Sequence, residues 1–271
     1  MARTNVNATR VKPDVSELIT LHVVRSERIS PSFQRVTLGG GDVERFRPMG
    51  YDQWFRLFIP VPGGSLARLP DKLNTIAYLR YLTIAKTSRP VLRNYTVGAY
   101  RADGPQLDVD FVIHGSPDHG DAGPAATWAQ RCAAGDPVAI LDEGIMFNPP
   151  PPVDRVRLVA DESALPAVAG VLGSLPTAAT GHAVIEVPTD DDRRDLRAPA
   201  GVEVTWVVRR DHAALPGRAA LAAAEALRPT ETFHGWVAGE QGLVTAVRRH
   251  WIATGVPKSS IMFCGYWKAA H

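Results

Sequence analysis

A cation, an aromatic ring and a hydroxyl lie within four consecutive residues, Arg93-Asn94-Tyr95-Thr96. On a β-strand, Arg93 and Tyr95 point to the same side. This set suits a flavin, because the arginine can hold a phosphate, the tyrosine can pack on the ring system and the threonine can hydrogen-bond a ring nitrogen. Taken alone, the four residues fit an ordinary strand with an edge arginine at least as well.

A second segment strengthens the flavin hypothesis. His114-Gly115 is followed by a polar loop and then by GPAATW at residues 123–128, which leads into a short helix with a proline in its first turn. Backbone N–H groups at such a helix N-terminus can neutralise a pyrophosphate. The two segments together therefore indicate a site for a flavin nucleotide.

Polar or glycine-rich residues also follow three apolar runs in the second half, at 161–163, 239–240 and 265–266. Open parallel sheets bind ligands at the carboxyl ends of their strands, and the helix after Ser163 could present N–H groups to a phosphate. A helix cap is an equally good explanation of Ser163. The sequence contains neither a GxGxxG fingerprint after the first of these strands nor a P-loop.

The choice between nicotinamide cofactors stays open. Arg193 and Arg194 could meet the 2′-phosphate of NADPH, or they could belong to a solvated loop after Asp190-Asp191-Asp192. Glu186 could instead favour the ribose hydroxyl of NADH. Trp267 either stacks on a flavin or adenine ring or covers apolar surface at the chain end.

The first half of the chain must position the flavin-like residues, and its pattern is that of β-strands. Short β-favouring runs recur with turn signals between them, which predicts a closed or nearly closed antiparallel barrel. Residues 61–75 break the pattern and are expected to form a loop. The predicted strands are 18–24, 33–38, 53–59, 93–101, 107–115 and 137–143, and the predicted helix is 124–134.

Four consecutive prolines, 149–152, mark a domain boundary because they cannot belong to a helix and form a stiff connector. Beyond them, strands and helices alternate, which predicts a parallel sheet with helices on its faces. The expected division is a flexible segment at 1–16, a barrel domain at 17–148, a linker at 149–153 and an α/β domain at 154–271. The predicted strands are 156–160, 183–187, 202–208, 234–240 and 261–267, with helices at 164–172, 215–227 and 243–254.

Composition narrows the class of protein. The 271 residues are 45% hydrophobic and 21% charged, with a formal net charge of +2. We therefore expect no nucleic-acid partner, and the lack of a long apolar run or of an apolar N-terminal signal predicts a cytoplasmic protein without membrane insertion. The two cysteines cannot supply a four-cysteine iron–sulfur site, and the histidines lack metal-ligand spacing, so no bound structural metal is expected.

Six segments resemble, in order, motifs of the siderophore-interacting protein family: RNYTVGAYR, LDVDFVIHG, GPAATWA, LVADESALPAVAGVL, WVAGE and GYWK. The similarity extends from about Leu18 to Lys268. Members of the family are FAD-containing ferric-siderophore reductases of the ferredoxin-reductase-like superfamily. The resemblance implies a β + α/β protein, with an N-terminal antiparallel Greek-key FAD-binding barrel followed by a parallel-sheet NAD(P)-binding-like domain.

The resemblance also implies which residues form the sites. Contacts to FAD are expected from Arg93, Tyr95, Thr96, Asp110, Val112, His114, Gly123, Ala125 and Thr127. The motif with Asp161, Glu162, Ser163 and Ala164 is expected to face the nicotinamide cofactor. Gly239, Glu240 and Trp267 are further expected cofactor contacts, at the ends of later strands. Two cations, Arg56 and Lys268, are expected to dock the iron complex.

The chain departs from the family pattern at four places. Gly98 stands where an arginine usually follows the RxYTV segment, and residues 142–145 (DEGI) replace a stretch like GPRG. The loop before residue 123 is lengthened by SPDHGD, and the tail reads GYWKAAH. These departures leave the contacts to adenosine and to substrate open.

The expected function is FAD-dependent reduction of siderophore-bound Fe(III), with electrons from NADPH, NADH or a ferredoxin and release of Fe(II). Because FAD accepts an electron pair and passes electrons singly, no catalytic acid or base is expected. We expect a monomer. Two alternatives stay open: a general flavin reductase or reductase partner of an oxygenase, and a non-catalytic siderophore-binding protein. A preference for a ferric siderophore over free flavin as electron acceptor would distinguish the expected reductase from the first alternative. Bound flavin would distinguish it from the second alternative, which predicts a protein without flavin.

Overall fold

The computed structural model describes residues 4–5, 9–14, 16–67, 69–70, 75–211, 213–227 and 232–269. The chain divides into two compact units. The first, which we call the barrel unit, comprises Lys12–Met49 and Gln53–Gly144. The second, which we call the α/β unit, contains Gly50–Asp52 and Ile145–His271, joined by described residues up to Val11.

The barrel unit is built on a seven-stranded antiparallel sheet, in the order β4-β3-β7-β1-β2-β6-β5. This architecture confirms the antiparallel β-domain predicted from the sequence. Its strands are β1 (Leu18–Ser30), β2 (Phe33–Gly39), β3 (Trp54–Ile59), β4 (Val91–Thr96), β5 (Ala99–Arg101), β6 (Gln106–Val112) and β7 (Pro137–Gly144). Its described helices are α1 (Thr75–Thr83) and α2 (Pro124–Arg131).

Alternation of side chains explains the barrel core. In β3, Phe55 and Leu57 are fully buried, whereas Arg56 points to the other face. β3 pairs with β4, so that Phe55 lies opposite Tyr95 and Leu57 lies opposite Arg93. Arg93 and Tyr95 therefore share the inner face of the edge strand β4.

Two strands of the barrel unit differ from the sequence prediction. β1 continues to Ser30 because its second half pairs with β2 through Phe33. The predicted strand 93–101 is divided into β4 and β5, and between them the N–H of Gly98 donates to the carbonyl oxygen of Asp108. The end of β1 and the break between β4 and β5 are thus set by pairing with other strands, which the local sequence pattern does not show.

The segment between β3 and β4 covers the outer face of the sheet. Tyr81 of α1 packs with Phe58, Leu69, Ala139 and Leu141 in a separate apolar cluster. The sequence prediction of a loop at 61–75 did not extend to this helix. α1 nevertheless leaves large apolar side chains exposed, namely Tyr78, Leu79 and Leu82.

The α/β unit holds a five-stranded parallel sheet in the order β10-β9-β8-β11-β12. The sequence prediction of a parallel sheet is confirmed. Its strands are β8 (Arg155–Ala160), β9 (Thr180–Val187), β10 (Gly201–Val208), β11 (His234–Glu240) and β12 (Ile261–Trp267). Its helices are α3 (Leu165–Ser174), α4 (Arg218–Ala226) and α5 (Gln241–Ala253).

Residues near the N-terminus pair with the edge of this sheet. The Asn5 side chain donates to the carbonyl oxygen of Ile261 and accepts from the N–H of Phe263, each at 2.9 Å. Val11 pairs with Ile145. Part of the segment expected to be flexible, 1–16, thus has fixed backbone partners, while residues 1–3, 6–8 and 15 lie outside the described residues.

The α/β unit resumes at Ile145, a few residues before the proline run. Its three-residue stretch Gly50–Asp52 is held there by Asp52, whose buried carboxylate accepts from the N–H groups of Met146 and Phe147. Within the described ranges, no helix has the length and apolarity needed to span a membrane.

Candidate functional site

β4 presents the predicted flavin residues at the edge of the barrel sheet. Arg93 is exposed, and its guanidinium donates to the carbonyl oxygen of Leu92 at 2.8 Å. Tyr95 is half-buried, with its ring centroid 4.3 Å from that of Phe111. Burial raises the pKa of the Tyr95 hydroxyl, which therefore stays protonated at neutral pH. Thr96 is buried at the end of the strand.

The N-terminus of α2 has open space above its capping glycine. Gly123 has φ −65°, a value that any residue adopts, and a Cβ built on it would meet no atom of the described residues within 4 Å. No side chain caps this helix. Neither the backbone conformation nor packing against the part of the chain that the structure describes requires glycine here, and a ligand phosphate would fit this space.

The other two predicted residues of α2 help to place that terminus. Ala125 is buried and packs on the barrel core. Thr127 donates its N–H to the carbonyl oxygen of Gly123 at 2.8 Å, closing the first helical turn.

A cavity of about 370 Å³ brings Arg93 of β4 and Pro124 of α2 together. Three of its described lining residues are cationic and none of them is acidic, which favours an anionic ligand. A cationic β4 edge beside an uncapped helix N-terminus fits the diphosphate of FAD. The lining residues are Tyr78, Tyr81, Leu82, Lys86, Arg89, Pro90, Val91, Leu92, Arg93 and Pro124.

Sequence reasoning missed the part of this cavity that lies before β4. Tyr78 and Tyr81 stand three residues apart on α1, which is a helical spacing, and Lys86 and Arg89 follow them. The cations in 86–93 and the two tyrosines were the available signal. The proline- and glycine-rich stretch before them obscured it.

β6 carries a carboxylate that is already paired. Asp110 accepts two guanidinium hydrogen bonds from Arg35, at 2.7 and 2.9 Å, and is buried. Asp108 accepts from Thr37 and Arg101, and these bonds hold its pKa below the ordinary value although burial acts to raise it. Asp110 therefore supports the strand through Arg35.

The remaining residues predicted on this strand lie at its end. Val112 is half-buried and His114 is exposed.

Arg56, expected to dock the iron complex, forms an ion pair within the barrel. Its Nε lies against Glu143 Oε1, and the Arg56 side chain is 30% exposed whereas that of Glu143 is 5% exposed. Burial lowers the pKa of Arg56. Its charge is therefore largely offset by Glu143, one of the residues that depart from the family pattern.

In the α/β unit, Asp161 lies at the carboxyl end of β8 and is fully buried. It accepts from the N–H and hydroxyl of Ser163, from the N–H of Glu240 and from the indole N–H of Trp267. Burial raises its pKa to about 6. Gly239 has φ +136°, and a Cβ there would come within 2.6 Å of the Asp161 carboxylate.

Glu162 and Glu186 converge on one buried arginine. Arg209 donates to Glu162 at 2.7 Å and to Glu186 at 2.9 Å. Glu186 also accepts from the N–H groups of Gly217 and Ala220. With all these partners and no exposed surface, the Glu186 carboxylate does not face solvent in this structure, and the choice between NADPH and NADH stays a prediction.

The predicted site residues of the α/β unit thus separate into two groups. Asp161, Glu162, Ala164, Gly239 and Glu240 are buried. The cofactor candidates Ser163 and Trp267 are half-buried, and the substrate candidate Lys268 is exposed. Only the second group reaches the surface, and the first group positions it, since Asp161 contacts both Ser163 and Trp267.

Two family models match successive parts of the chain. Residues 22–145 match a siderophore-interacting FAD-binding domain, and residues 153–270 match the siderophore-interacting protein model. The two models together span the barrel sheet and the parallel sheet.

Curated relatives align over most of the chain. Ferric vibriobactin reductase ViuB of Vibrio cholerae is 30% identical over 84% of this chain and 81% of its own. NADPH-dependent ferric-chelate reductase of Escherichia coli is 27% identical over 92% of each chain. A protein of Mycobacterium tuberculosis of uncharacterised function is 39% identical over 73% of this chain and 68% of its own.

Solved structures with a similar fold include members of the same family. The siderophore-interacting protein SipS of Aeromonas hydrophila has a TM-score of 0.75 at 28% identity, covering 94% of this chain and 93% of its own. The Amycolatopsis cytochrome P450 reductase GcoB has a TM-score of 0.64 at 18% identity, covering 96% and 72%, and shares the fold. The chain belongs to the siderophore-interacting protein family.

Proposed function

We propose that this protein is an FAD-dependent ferric-siderophore reductase, which passes electrons from NADPH, NADH or a ferredoxin to siderophore-bound Fe(III) and releases Fe(II). The observation that carries the proposal is the cavity shared by Arg93 and the N-terminus of α2. Two segments that are 30 residues apart in sequence supply the two anion-binding features that a flavin dinucleotide needs. The names of the ViuB and Escherichia coli relatives support a ferric chelate as the acceptor.

Bound FAD would supply the exchange between two-electron and one-electron chemistry. The residues of the chain hold and orient it. Arg93 and the first turn of α2 bind the diphosphate, and the missing side chain of Gly123 leaves space for it. Tyr95 and Thr96 lie toward the flavin end of β4. Because Tyr95 is packed on Phe111, its ring is fixed before any ligand arrives.

We favour NADPH over NADH as the pyridine nucleotide. Arg193 and Arg194 follow β9, where a 2′-phosphate would be met, and Arg193 is 45% exposed with its guanidinium 2.8 Å from Asp190. Glu186 is engaged inside the unit and offers no competing contact to a ribose. A ferredoxin is the other donor that the test must include.

Among the two cations expected at the substrate, we propose Lys268. It is exposed and follows Trp267 at the end of β12. Arg56 has its charge offset by Glu143 and is the weaker candidate.

The direct test of the cofactor site is the flavin content of Arg93→Ala. We expect about 10- to 100-fold weaker FAD binding, because one charge-assisted contact to phosphate is lost. Arg25→Ala, at another exposed arginine of the barrel unit, serves as the control and should bind FAD like the wild type. Flavin fluorescence titration measures both. Equal affinity in the two variants would remove Arg93 from the site.

The same purified protein, loaded with FAD and kept anaerobic, identifies the donor. NADPH, NADH and a reduced ferredoxin are added in separate samples, and bleaching of the flavin absorbance is followed. Turnover is then compared with a ferric siderophore and with free flavin as acceptors. Preference for free flavin would identify a general flavin reductase, and a protein that takes up no FAD would contradict the proposal.

A further inference from the structure

We propose that α1 and the residues leading into β4 form the binding site for the AMP half of FAD, with Tyr78 stacking on the adenine ring. The inference rests on the proposed FAD binding and adds to it the side chains that distinguish FAD from FMN. We call the cavity wall formed by Tyr78, Lys86, Arg89 and Pro90 the adenosine wall.

The direction of β4 places adenosine at this wall. The flavin end is expected at Tyr95 and Thr96, and the diphosphate at Arg93. An extended ligand that continues past Arg93 moves toward Pro90, about 10 Å along the strand. The cavity that holds Arg93 continues in this direction, since it is lined by Pro90 and by Tyr78.

The ring of Tyr78 is open to solvent on one side and packs on Tyr81 on the other. It is 41% exposed, and its centroid lies 6.0 Å from that of Tyr81 at an interplanar angle of 22°. Tyr81 is buried, donates its hydroxyl to the carbonyl oxygen of Pro90 at 2.7 Å, and lies 5.6 Å from the Arg89 guanidinium carbon. A base stacked on Tyr78 would extend an existing stack and require little new ordering.

The positive charge of the adenosine wall favours the phosphate of the AMP half over a neutral ligand. Lys86 is exposed, and Arg89 is half-buried, held by hydrogen bonds to the carbonyl oxygens of Leu82 and Ile84. With Arg93, these residues give the described lining of the cavity three cations and no acidic side chain. Aromatic surface next to cations is the chemistry that binds a nucleoside phosphate.

The test compares FAD with FMN, which lacks the AMP half, by fluorescence titration of the flavin-free full chain. Tyr78→Leu keeps an apolar side chain but removes the ring, so FAD affinity should fall about 5- to 100-fold while FMN affinity is unchanged. Tyr78→Phe keeps the ring and should retain the FAD preference. Leu79→Ala is the control, because Leu79 is exposed on the same helix and is absent from the cavity lining.

Each outcome separates this inference from the proposed function. A wild-type protein that binds neither flavin contradicts the proposed function itself. A wild type that binds FAD and FMN equally contradicts the inference and leaves FAD binding intact. A Tyr78→Leu variant that keeps the wild-type ratio of FAD to FMN affinity also contradicts the inference, whether or not it weakens the binding of both flavins. Competition by 5′-AMP, present in the wild type and lost in Tyr78→Leu, would support the inference independently of any electron transfer.

Discussion

Buried carboxylates in both units are paired with residues far away in sequence. Asp110 depends on Arg35, and Glu162 depends on Arg209. Removing one partner of such a pair costs about 3–5 kcal/mol where the site is fully buried, because the other charge is left without compensation. These side chains therefore act on the site through the positions of the elements that carry them.

Asp161 gives a prediction for pH. Burial raises its pKa to about 6, above the ordinary value of 3.8. Between these two values the folded state binds more protons than the unfolded state, so the free energy of unfolding falls as pH rises through this window. Relative to Asp161→Asn, the wild type should lose on the order of 2–3 kcal/mol between pH 4 and pH 7.

Denaturant unfolding at several pH values, followed by tryptophan fluorescence, measures this difference. Only the difference between the two proteins matters, since other groups titrate equally in both. Parallel stability curves for wild type and variant would show that Asp161 is ionised throughout the range.

For single residues, the sequence indicated which side chains could take part in a site, but not which residues they contact. Its position after a strand of a parallel sheet placed Asp161 near a ligand, and the family resemblance implied that this ligand is a nicotinamide cofactor. The contact of Asp161 with the indole of Trp267, 106 residues away, depends on the order of strands in the sheet and cannot be derived from local spacing. The ion pair of Glu186 could not be derived for the same reason, since Arg209 lies on the connection after the neighbouring strand β10.

Elements with a regular apolar period were predictable, and α1 was not. Alternation in β3 and the apolar runs of β8 and β11 are strong signals of half-buried and fully buried strands. α1 is a nine-residue helix whose order depends on Tyr81 packing against Phe58. A short helix held by tertiary contacts leaves a weak pattern in sequence, so the adenosine wall was missed.

The N-terminus of α2 provides a prediction for an element. Gly123→Ala should weaken FAD binding about 10-fold or more, because the added methyl group enters the space for the diphosphate and hinders its contact with the helix N–H groups. Folding stability should fall by no more than about 1 kcal/mol, because alanine is a poorer N-cap than glycine but its methyl group meets open space.

Flavin titration and thermal unfolding of the same variant separate the two effects. Gly173→Ala in α3 is the matched control, because its Cβ meets only Arg197 at 3.9 Å and it lies in the α/β unit. If Gly123→Ala binds FAD like the wild type, the diphosphate does not lie at this terminus.

For the whole molecule, the change from antiparallel strands to alternating strands and helices was enough to predict two units of different class. The proline run indicated a boundary because prolines end regular structure. The sequence could not show that Gly50–Asp52 belongs to the α/β unit, because the reason is the buried contact of Asp52 with Trp236, 184 residues later. Such long-range pairs decide where units begin and end.

Lys268 gives a prediction for substrate binding by the folded chain. Lys268→Ala should raise the apparent KM for an anionic ferric siderophore several-fold while FAD affinity stays unchanged, because an exposed cation that docks the complex is removed. Lys258→Ala, at another exposed lysine of the α/β unit, should behave like the wild type. Steady-state kinetics at increasing ionic strength check both variants, and an unaltered KM for Lys268→Ala would exclude this residue from the docking site.

In the proposed reaction, electrons leave the FAD-loaded protein for siderophore-bound iron. The most direct measurement reduces the FAD-loaded protein chemically under anaerobic conditions, adds a ferric siderophore, and follows the flavin absorbance together with Fe(II) captured by a ferrous chelator. We predict full recovery of the absorbance and about two Fe(II) for each reduced FAD. Absorbance that stays bleached with the iron complex but recovers on addition of free flavin would contradict the account.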